Sequence, residues 1–508
     1  MRTEESKAWM ALTMNTLAFT ICFACWMMNG VLVTYLVSND VFQWNNSQMG
    51  WIIGMPVLTG ALTRLPLGIL TDKYGGRNVF SLLMLFSAAA MIYISYANTY
   101  IDFLVGGCLF GVTGGSFAVG IAYTSIWFKK EKQGLALGIF GAGNAGAALT
   151  SMGAPFLLNY LTSNGADLDQ WRSLPKVYAA ALLLMTIVFY LFTTSKKAPG
   201  SEGKSLKERL QPLKCIRVHR FGFYYFFVFG GFVALSQWLI PYYVNVYKLP
   251  VTTAGLMAAI FSLPSGVIRA LGGWMSDHYG ARKVMYWVFS TCLIVCSLLI
   301  IPQMDIHTPG KGIQAKENGT VTAVENDRVI VKNKKGVDKE YSFIEKKSGD
   351  DESFRNLDEV TVWPEKRFWQ EATVAVGDTV HKKQLLVKGI THVFFQANVW
   401  IFTGLVFIIG IMMGIGKAAV YKHIPEYFEN DVGVVGGVVG VIGGLGGFVC
   451  PIIFGYLLSM TGFWSTCWLF LAIVVGVCLW WMHHVIQKMM QKEVPSLMRQ
   501  MDQVKGEE

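Results

Sequence analysis

Two arginines stand inside long apolar stretches of this 508-residue chain, each eight residues ahead of an aspartate in a repeated polar segment. The first copy reads Arg64-Leu-Pro-Leu-Gly-Ile-Leu-Thr-Asp72-Lys-Tyr-Gly-Gly-Arg77-Asn-Val79, the second Arg269-Ala-Leu-Gly-Gly-Trp-Met-Ser-Asp277-His-Tyr-Gly-Ala-Arg282-Lys-Val284. At a shift of 205 residues, seven of the sixteen positions are identical. Eight residues of helix rise about 12 Å. The Asp-x-Tyr-Gly-x-Arg segments are polar and turn-like and mark a membrane surface, which puts both arginines near the bilayer midplane. A guanidinium there costs at least about 2.5 kcal/mol to insert, so its default reading is functional, with a partner. A doubled positive charge at the interface of two repeats is where a carrier binds an anion. The competing reading is a structural salt bridge, which needs a buried carboxylate. Asp40, Asp72, Asp102, Asp277, Glu426 and Asp431 all fall at the ends of apolar runs, so a ligand is the better countercharge.

The elements that must position these arginines are membrane helices. Apolar residues make up 53% of the chain and charged residues only 15%, much of the charge confined to short intervals. A bilayer crossing takes roughly 20 apolar residues. Twelve runs qualify, at about 14–37, 49–71, 78–98, 102–127, 133–160, 175–194, 221–247, 252–276, 283–302, 393–423, 432–459 and 463–487. No small-residue cleavage site follows the first run, which reads as a retained helix rather than a signal peptide. Lysine and arginine concentrate in alternate loops. Segment 195–220 carries eight, and the loops at 38–48 and 99–101 carry none. By the positive-inside rule both termini are cytoplasmic, in a multi-pass inner (cytoplasmic) membrane protein. The expected organisation is an N-terminal six-helix half (1–194), a cytoplasmic linker (195–220) and a C-terminal half in two parts (221–302 and 393–490). A cytoplasmic tail (491–508) follows. This is an all-α membrane fold of two parallel six-helix repeats, of the major facilitator kind.

Residues 303–392 do not fit the membrane. They hold 15 basic and 15 acidic residues, so the whole formal charge of +10 belongs to the helical part. Alternation over 319–332 predicts strand-turn-strand. Val-Gly-Asp-x-Val-x-x-x-Gln-Leu-Leu within 374–387 resembles a biotinyl/lipoyl-like barrel-sandwich hairpin, but no carrier-lysine turn is present. The segment reads as a small extracytoplasmic β domain, either an accessory of unknown role or a contact for an unknown partner. It contains none of the nine cysteines, so it carries no disulfide. Cys22 and Cys25 have metal or redox spacing, but inside an apolar helix without nearby histidine they read as packing residues. His483-His484 reads as an interfacial pair rather than a metal site. Neither a phosphate loop nor an acid/base or nucleophile constellation appears. An enzyme, a cofactor, a metal and a nucleic-acid partner are therefore not expected.

Glycine clusters open two further spans at matched places, Gly134 to Leu149 in the fifth and Gly433 to Phe448 in the eleventh. Small residues at this spacing let helix backbones approach closely. Dense packing alone explains them; so does a need for both closeness and sliding, as in rocking halves. Here the chain resembles the nitrate/nitrite porter family. Gly141-Ala-Gly143-Asn144-Ala-Gly146 and Gly440-Val-Ile-Gly443-Gly444-Leu-Gly446-Gly447 are similar to its paired signature motifs, and Arg64 and Arg269 to its two substrate arginines. The resemblance covers about 420 residues, everything except 303–392. It implies that Phe117 flanks the anion, that Asn144 is the signature asparagine and that Tyr225 is a substrate tyrosine.

The implied ligands, nitrate and nitrite, suit guanidinium chemistry. They are planar, singly charged and weakly hydrated, and an arginine offers two parallel donors where a lysine cannot. Proton-driven carriers usually place a titrating side chain in the pathway, and no mid-span carboxylate or histidine is evident. Nitrate/nitrite exchange is then physically simpler than proton-coupled uptake, because an empty positive site resists reorienting. Lys417 complicates this, standing where many family members have a small polar residue. It is either a third cation in the cavity that could carry a proton, or a lysine snorkelling to the interface. The expected function is nitrate and nitrite transport by alternating access, as exchange or nitrate uptake, by a monomer. The alternatives are a carrier of formate or a short carboxylate, and an anion sensor or channel.

Overall fold

The computed structural model describes residues 4–128, 130–196, 214–301, 304–347, 365–395, 398–428 and 432–504. It divides into two compact units, Met1–Ile300 with Thr403–Glu508, and Ile301–Phe402. Most of the linker 195–220 lies outside the described residues.

The larger unit is helical. Its spans, in chain order, are Glu4–Ser38, Asn46–Tyr74, Gly76–Ile94, Tyr100–Ser125, Leu135–Leu161, Leu168–Phe192, Ile216–Tyr247, Val251–Tyr279, Ala281–Leu299, Val399–Ile424, Val435–Thr461 and Thr466–Met489. Among the described residues eleven are single crossings by length and composition; the eighth is a pair of helices bent by 47° between Val267 and Arg269. Pro264, which removes one ladder hydrogen bond, lies in the turn before that bend. The last helix runs on to Val504, through most of the segment expected as a tail. The span expected at 393–423 starts only at Val399, because residues up to Phe395 pair as a strand instead.

Local sequence explains several ends. Asn45 and Gln48 form a capping box at the start of the second span, and Thr99 and Asp102 do the same for the fourth. Each repeated polar turn pivots on a glycine with φ of +85°, Gly75 and Gly280, a conformation that side-chain-bearing residues rarely adopt. The two turns are therefore alike in backbone as well as in sequence.

Inside the bundle several spans depart from α geometry. A 3₁₀ turn, Gly111–Gly115, interrupts the fourth span just before Phe117. Another, Ala142–Ala145, interrupts the fifth and contains Asn144. In the seventh, Phe226–Gly231 forms a wide π turn. Such irregular turns inside helices concentrate at hinges and functional sites.

The smaller unit is a β domain with seven strands among the described residues: β1 (Met304–Gln314), β2 (Gly319–Val324), β3 (Arg328–Asn333), β4 (Asp338–Ser342), β5 (Glu365–Ala372), β6 (Thr379–Val380) and β7 (Leu385–Phe395). They form two sheets, ordered β1-β7-β5 and β4-β3-β2-β6, with antiparallel pairing throughout. The expected strand-turn-strand at 319–332 is the β2–β3 pair, with Val321 opposite Val331. The strands extend three residues past 392, since Met304 pairs with Phe395. Alternation puts Val321, Val329, Val331, Tyr341 and Val380 into one apolar core, which Leu386 and Val387 also join. Surface pairs such as Lys339–Glu317, 2.9 Å apart, hold the Glu317 carboxyl below its ordinary range. Being exposed, they add little stability.

Candidate substrate site

The two arginines come together around one aromatic ring. Each guanidinium carbon lies 5.4 Å from the centroid of Phe117, Arg64 from the second span and Arg269 from the eighth. Arg64 is 3% exposed and also lies 4.7 Å from the Phe229 ring and 5.9 Å from that of Trp26. Arg269 lies 5.5 Å from Tyr421. These are cation–π distances, and aromatic faces favour a guanidinium that has left water. They do not satisfy its N–H groups.

The hydrogen bonds are few. Arg64 donates through Nη1 to the Gly440 carbonyl at 2.7 Å. Among the described residues, Nε and Nη2 of Arg64 and Nη1 of Arg269 are buried without a hydrogen-bond partner. No ion pair to either arginine is found among the described residues, and Asp277 at the end of the eighth span instead takes Lys422 at 2.5 Å. Planar donors and positive charge, with no ion-paired carboxylate among the described residues, can accept a flat anion.

A cross-linked symmetry places these groups. Arg64 meets Gly440 of the eleventh span, in the other half, and Arg269 meets Gly141 of the fifth. A Cβ at Gly440 would lie 3.6 Å from Arg64 Nη1, and one at Gly141 would lie 3.3 Å from Arg269 Cδ. One turn away on one side, Ala61 packs on Gly444 and Gly266 on Ala145. Farther that way the spans stay in contact, Gly54 against the Phe448 carbonyl and Gly255 against Ser151. One turn on the other side, toward the polar turns, a Cβ added at Gly68, Gly437, Gly273 or Gly138 would meet nothing within 4 Å among the described residues. The halves thus pack closely at the end away from the Asp-x-Tyr-Gly-x-Arg turns and more loosely toward the end that bears them.

The remaining residues singled out in the sequence divide. Tyr225 stacks on Phe229 with centroids 5.0 Å apart and meets Tyr421 edge-on at 4.9 Å, which joins it to the arginine cluster. Asn144 is fully buried and donates to the Gly141 carbonyl at 2.8 Å, bracing the turn that faces Arg269. Gly143 and Gly146 pack on the first span, at Phe19 and the Thr20 carbonyl. Gly443 and Gly446 pack on the seventh, at Tyr225 and the Phe226 carbonyl. Gly444 lies beside Ala61, with a Cβ there 3.7 Å from the Arg64 guanidinium carbon. Gly143, Gly146, Gly443 and Gly446 pack within their own half, and the contacts across the halves fall to Gly141, Gly440, Gly444 and Gly447, the last against Val57. Lys417 does not snorkel; it is fully buried, with Nζ 3.4 Å from the Phe232 ring centroid.

Sequence reasoning passed over Tyr421, Phe229 and Trp26. Tyr421 also donates to the Gly436 carbonyl at 3.0 Å, and Trp26 to the Pro56 carbonyl at 2.9 Å. The available signal was spacing: Tyr421 is one turn after Lys417, and Phe229 one turn after Tyr225.

Comparison with known proteins agrees with this architecture. The family model described as Major Facilitator Superfamily matches residues 16–312. A probable nitrate/nitrite antiporter of Thermus thermophilus is 36% identical over 490 residues, covering 96% of this chain and 93% of that one. A probable nitrate transporter of Staphylococcus carnosus is 25% identical, covering 95% and 98%. A nitrite extrusion protein of Bacillus subtilis is 27% identical over 59% of this chain and 73% of its own length. Among solved structures, a bacterial homolog of the human lysosomal transporter Spinster, inward-facing and occupied, aligns with a TM-score of 0.60 at 13% identity, covering 94% and 96%. The nucleoside transporter NupG gives 0.58 at 11% identity, covering 94% and 98%. These two show the fold alone. With the helical architecture, the family model and the relative at 36% identity in agreement, the chain belongs to the nitrate/nitrite porter family of the Major Facilitator Superfamily.

Proposed function

We propose that this protein carries nitrate and nitrite across the membrane by alternating access, the anion lying between Arg64 and Arg269 against Phe117. The observation that carries the reading is the pair of guanidiniums on one ring, with buried N–H groups unpartnered and no ion pair to either among the described residues. A planar oxyanion supplies the acceptors those donors lack, and the aromatic surroundings restrict it to a slot. Tyr225, Tyr421 and Phe229 line the slot, and Asn144 fixes the turn beneath it. One copy of the chain contains every element of this site, so a monomer suffices.

The glycine contacts support a rocking cycle with the termini on the cytoplasmic side. Close packing at the extracytoplasmic ends and looser packing at the cytoplasmic ends describe a carrier open inward. Closing the inner end would bring the uncontacted Gly68/Gly437 and Gly273/Gly138 rungs together around a fixed site. Counterflow in proteoliposomes tests the reading: internal nitrite should accelerate entry of labelled nitrate, and nitrate should accelerate nitrite. Flux with no acceleration from the trans side describes a channel. Exchange of formate but not of nitrate assigns the slot to a carboxylate.

A further inference from the structure

We infer that Lys417 is a proton site, binding a proton when the anion binds and releasing it when the anion leaves, so that anion and proton cross together. This rests on the transport reading above and adds a second transported ion.

Among the described residues, Lys417 lacks the hydrogen-bond partners that a structural lysine takes. Its Nζ is buried, faces the Phe232 ring at 3.4 Å and has no hydrogen-bond partner among the described residues. A packing lysine would donate to a carbonyl or carboxylate, and a snorkelling one would reach water. The adjoining residue Gly416 is enclosed by Val228 and Val288, from the seventh and ninth spans, and Gly414 by Ile268, next to Arg269. Lys417 therefore stands at the depth of the arginines. An ionisable side chain held there is functional by default.

The surroundings set the sign of the coupling. The charged neighbour acting on Lys417 is Arg269, on the eighth span. Titratable groups on the surrounding spans include Tyr224, Tyr225, Tyr242, Tyr243 and Tyr247 on the seventh, Tyr421 and His423 on its own, Tyr286, Cys292 and Cys296 on the ninth, and Cys467 and Cys478 on the twelfth. His423 stacks on Phe221 with centroids 5.5 Å apart. Asp277, the carboxylate of the eighth span, is at its far end with Lys422. No ion pair to Lys417 is found among the described residues. An anion between the guanidiniums offsets their repulsion of an ammonium, so anion and proton each strengthen the binding of the other by the same factor.

Charge counting gives the consequence. Empty, the site holds two guanidiniums and a neutral amine; loaded, it holds two guanidiniums, an ammonium and one anion. The net charge is the same, so the empty carrier can also reorient and net uptake needs no counter-anion, while exchange, which skips the empty step, stays the faster mode. With a side chain that cannot titrate, loading changes the net charge by one and exchange alone is favoured.

Proteoliposomes containing the full chain and a lumenal pH dye test this. For the wild type, external nitrate added to vesicles free of internal anion should acidify the lumen by about one proton per nitrate. An inward proton gradient should raise net uptake at least tenfold. In both Lys417→Met and Lys417→Arg, gradient-driven uptake divided by nitrate/nitrite exchange should fall at least tenfold. A static third cation would instead leave the arginine variant like the wild type. That result, or wild-type nitrate entry without protons, overturns the inference while leaving exchange standing. Absence of both uptake and exchange of nitrate in the wild type removes the transport reading as well. The dye measurement on the wild type stands whether or not the variants fold.

Discussion

Replacing an arginine by lysine keeps the charge and removes the fork, which makes it the sharpest probe of Arg64 and Arg269. Hydrogen bonds to charged groups contribute about 1.5–3 kcal/mol each. Losing one from a desolvated slot should weaken nitrate affinity roughly 10- to 100-fold. We expect this of Arg64→Lys and of Arg269→Lys, read as binding to purified, monodisperse protein; near-normal affinity in either removes that arginine from the site. Shape gives the second expectation. Nitrate and nitrite should compete with each other, while sulfate and phosphate, tetrahedral and more highly charged, should inhibit weakly; equal inhibition by sulfate would contradict a flat slot. Both arginines were legible in the sequence because charge inside an apolar run is conspicuous. Phe117, Asn144 and Tyr225 stood out only through family resemblance. Tyr421, Phe229 and Trp26 were not legible: aromatic residues are 14% of the chain, and one lining a cavity looks like one packing a helix.

At the scale of the helix, the legible part was span number, turn position and the matched glycine runs. What could not be read was where α geometry gives way, because the 3₁₀ turns of the fourth and fifth spans and the π turn of the seventh depend on neighbours distant in sequence. The division of labour among the glycines was hidden for the same reason. It is testable. A Cβ at Gly440 would stand 3.1 Å from the Tyr421 hydroxyl and 3.6 Å from Arg64 Nη1. Gly440→Ala should therefore displace the guanidinium and weaken nitrate binding about tenfold, the equivalent of ~1.4 kcal/mol. Gly68→Ala touches nothing in the state described, so affinity should hold while exchange slows, because the added methyl meets its partner only when the inner end closes. Titration calorimetry against counterflow separates the two. Equal loss of binding and exchange in Gly68→Ala would mean that this rung does not open and close.

On the scale of the whole chain, the parallel repeat was legible from one sixteen-residue alignment, and the β insert from its balanced charge and alternating residues. The insert has its own core and its own sheets. None of the arginine or glycine groups of the site belongs to it. Replacing 304–395 by a short Gly/Ser linker should leave nitrate affinity and exchange largely intact in inserted, monodisperse protein. Collapse of affinity would make the insert part of the transport path. A last consequence follows from two guanidiniums sharing one ring with no ion-paired carboxylate among the described residues. Mutual repulsion is then built into the empty fold, and a bound anion acts as a missing structural counterion. The detergent-solubilised protein should melt at higher temperature as nitrate is raised, the gain growing with the logarithm of concentration above the dissociation constant. Arg64→Gln, which removes the repulsion, should flatten that dependence. The choice of salt in the buffer, usually a matter of convenience, becomes for this fold a choice of how much of the protein survives purification.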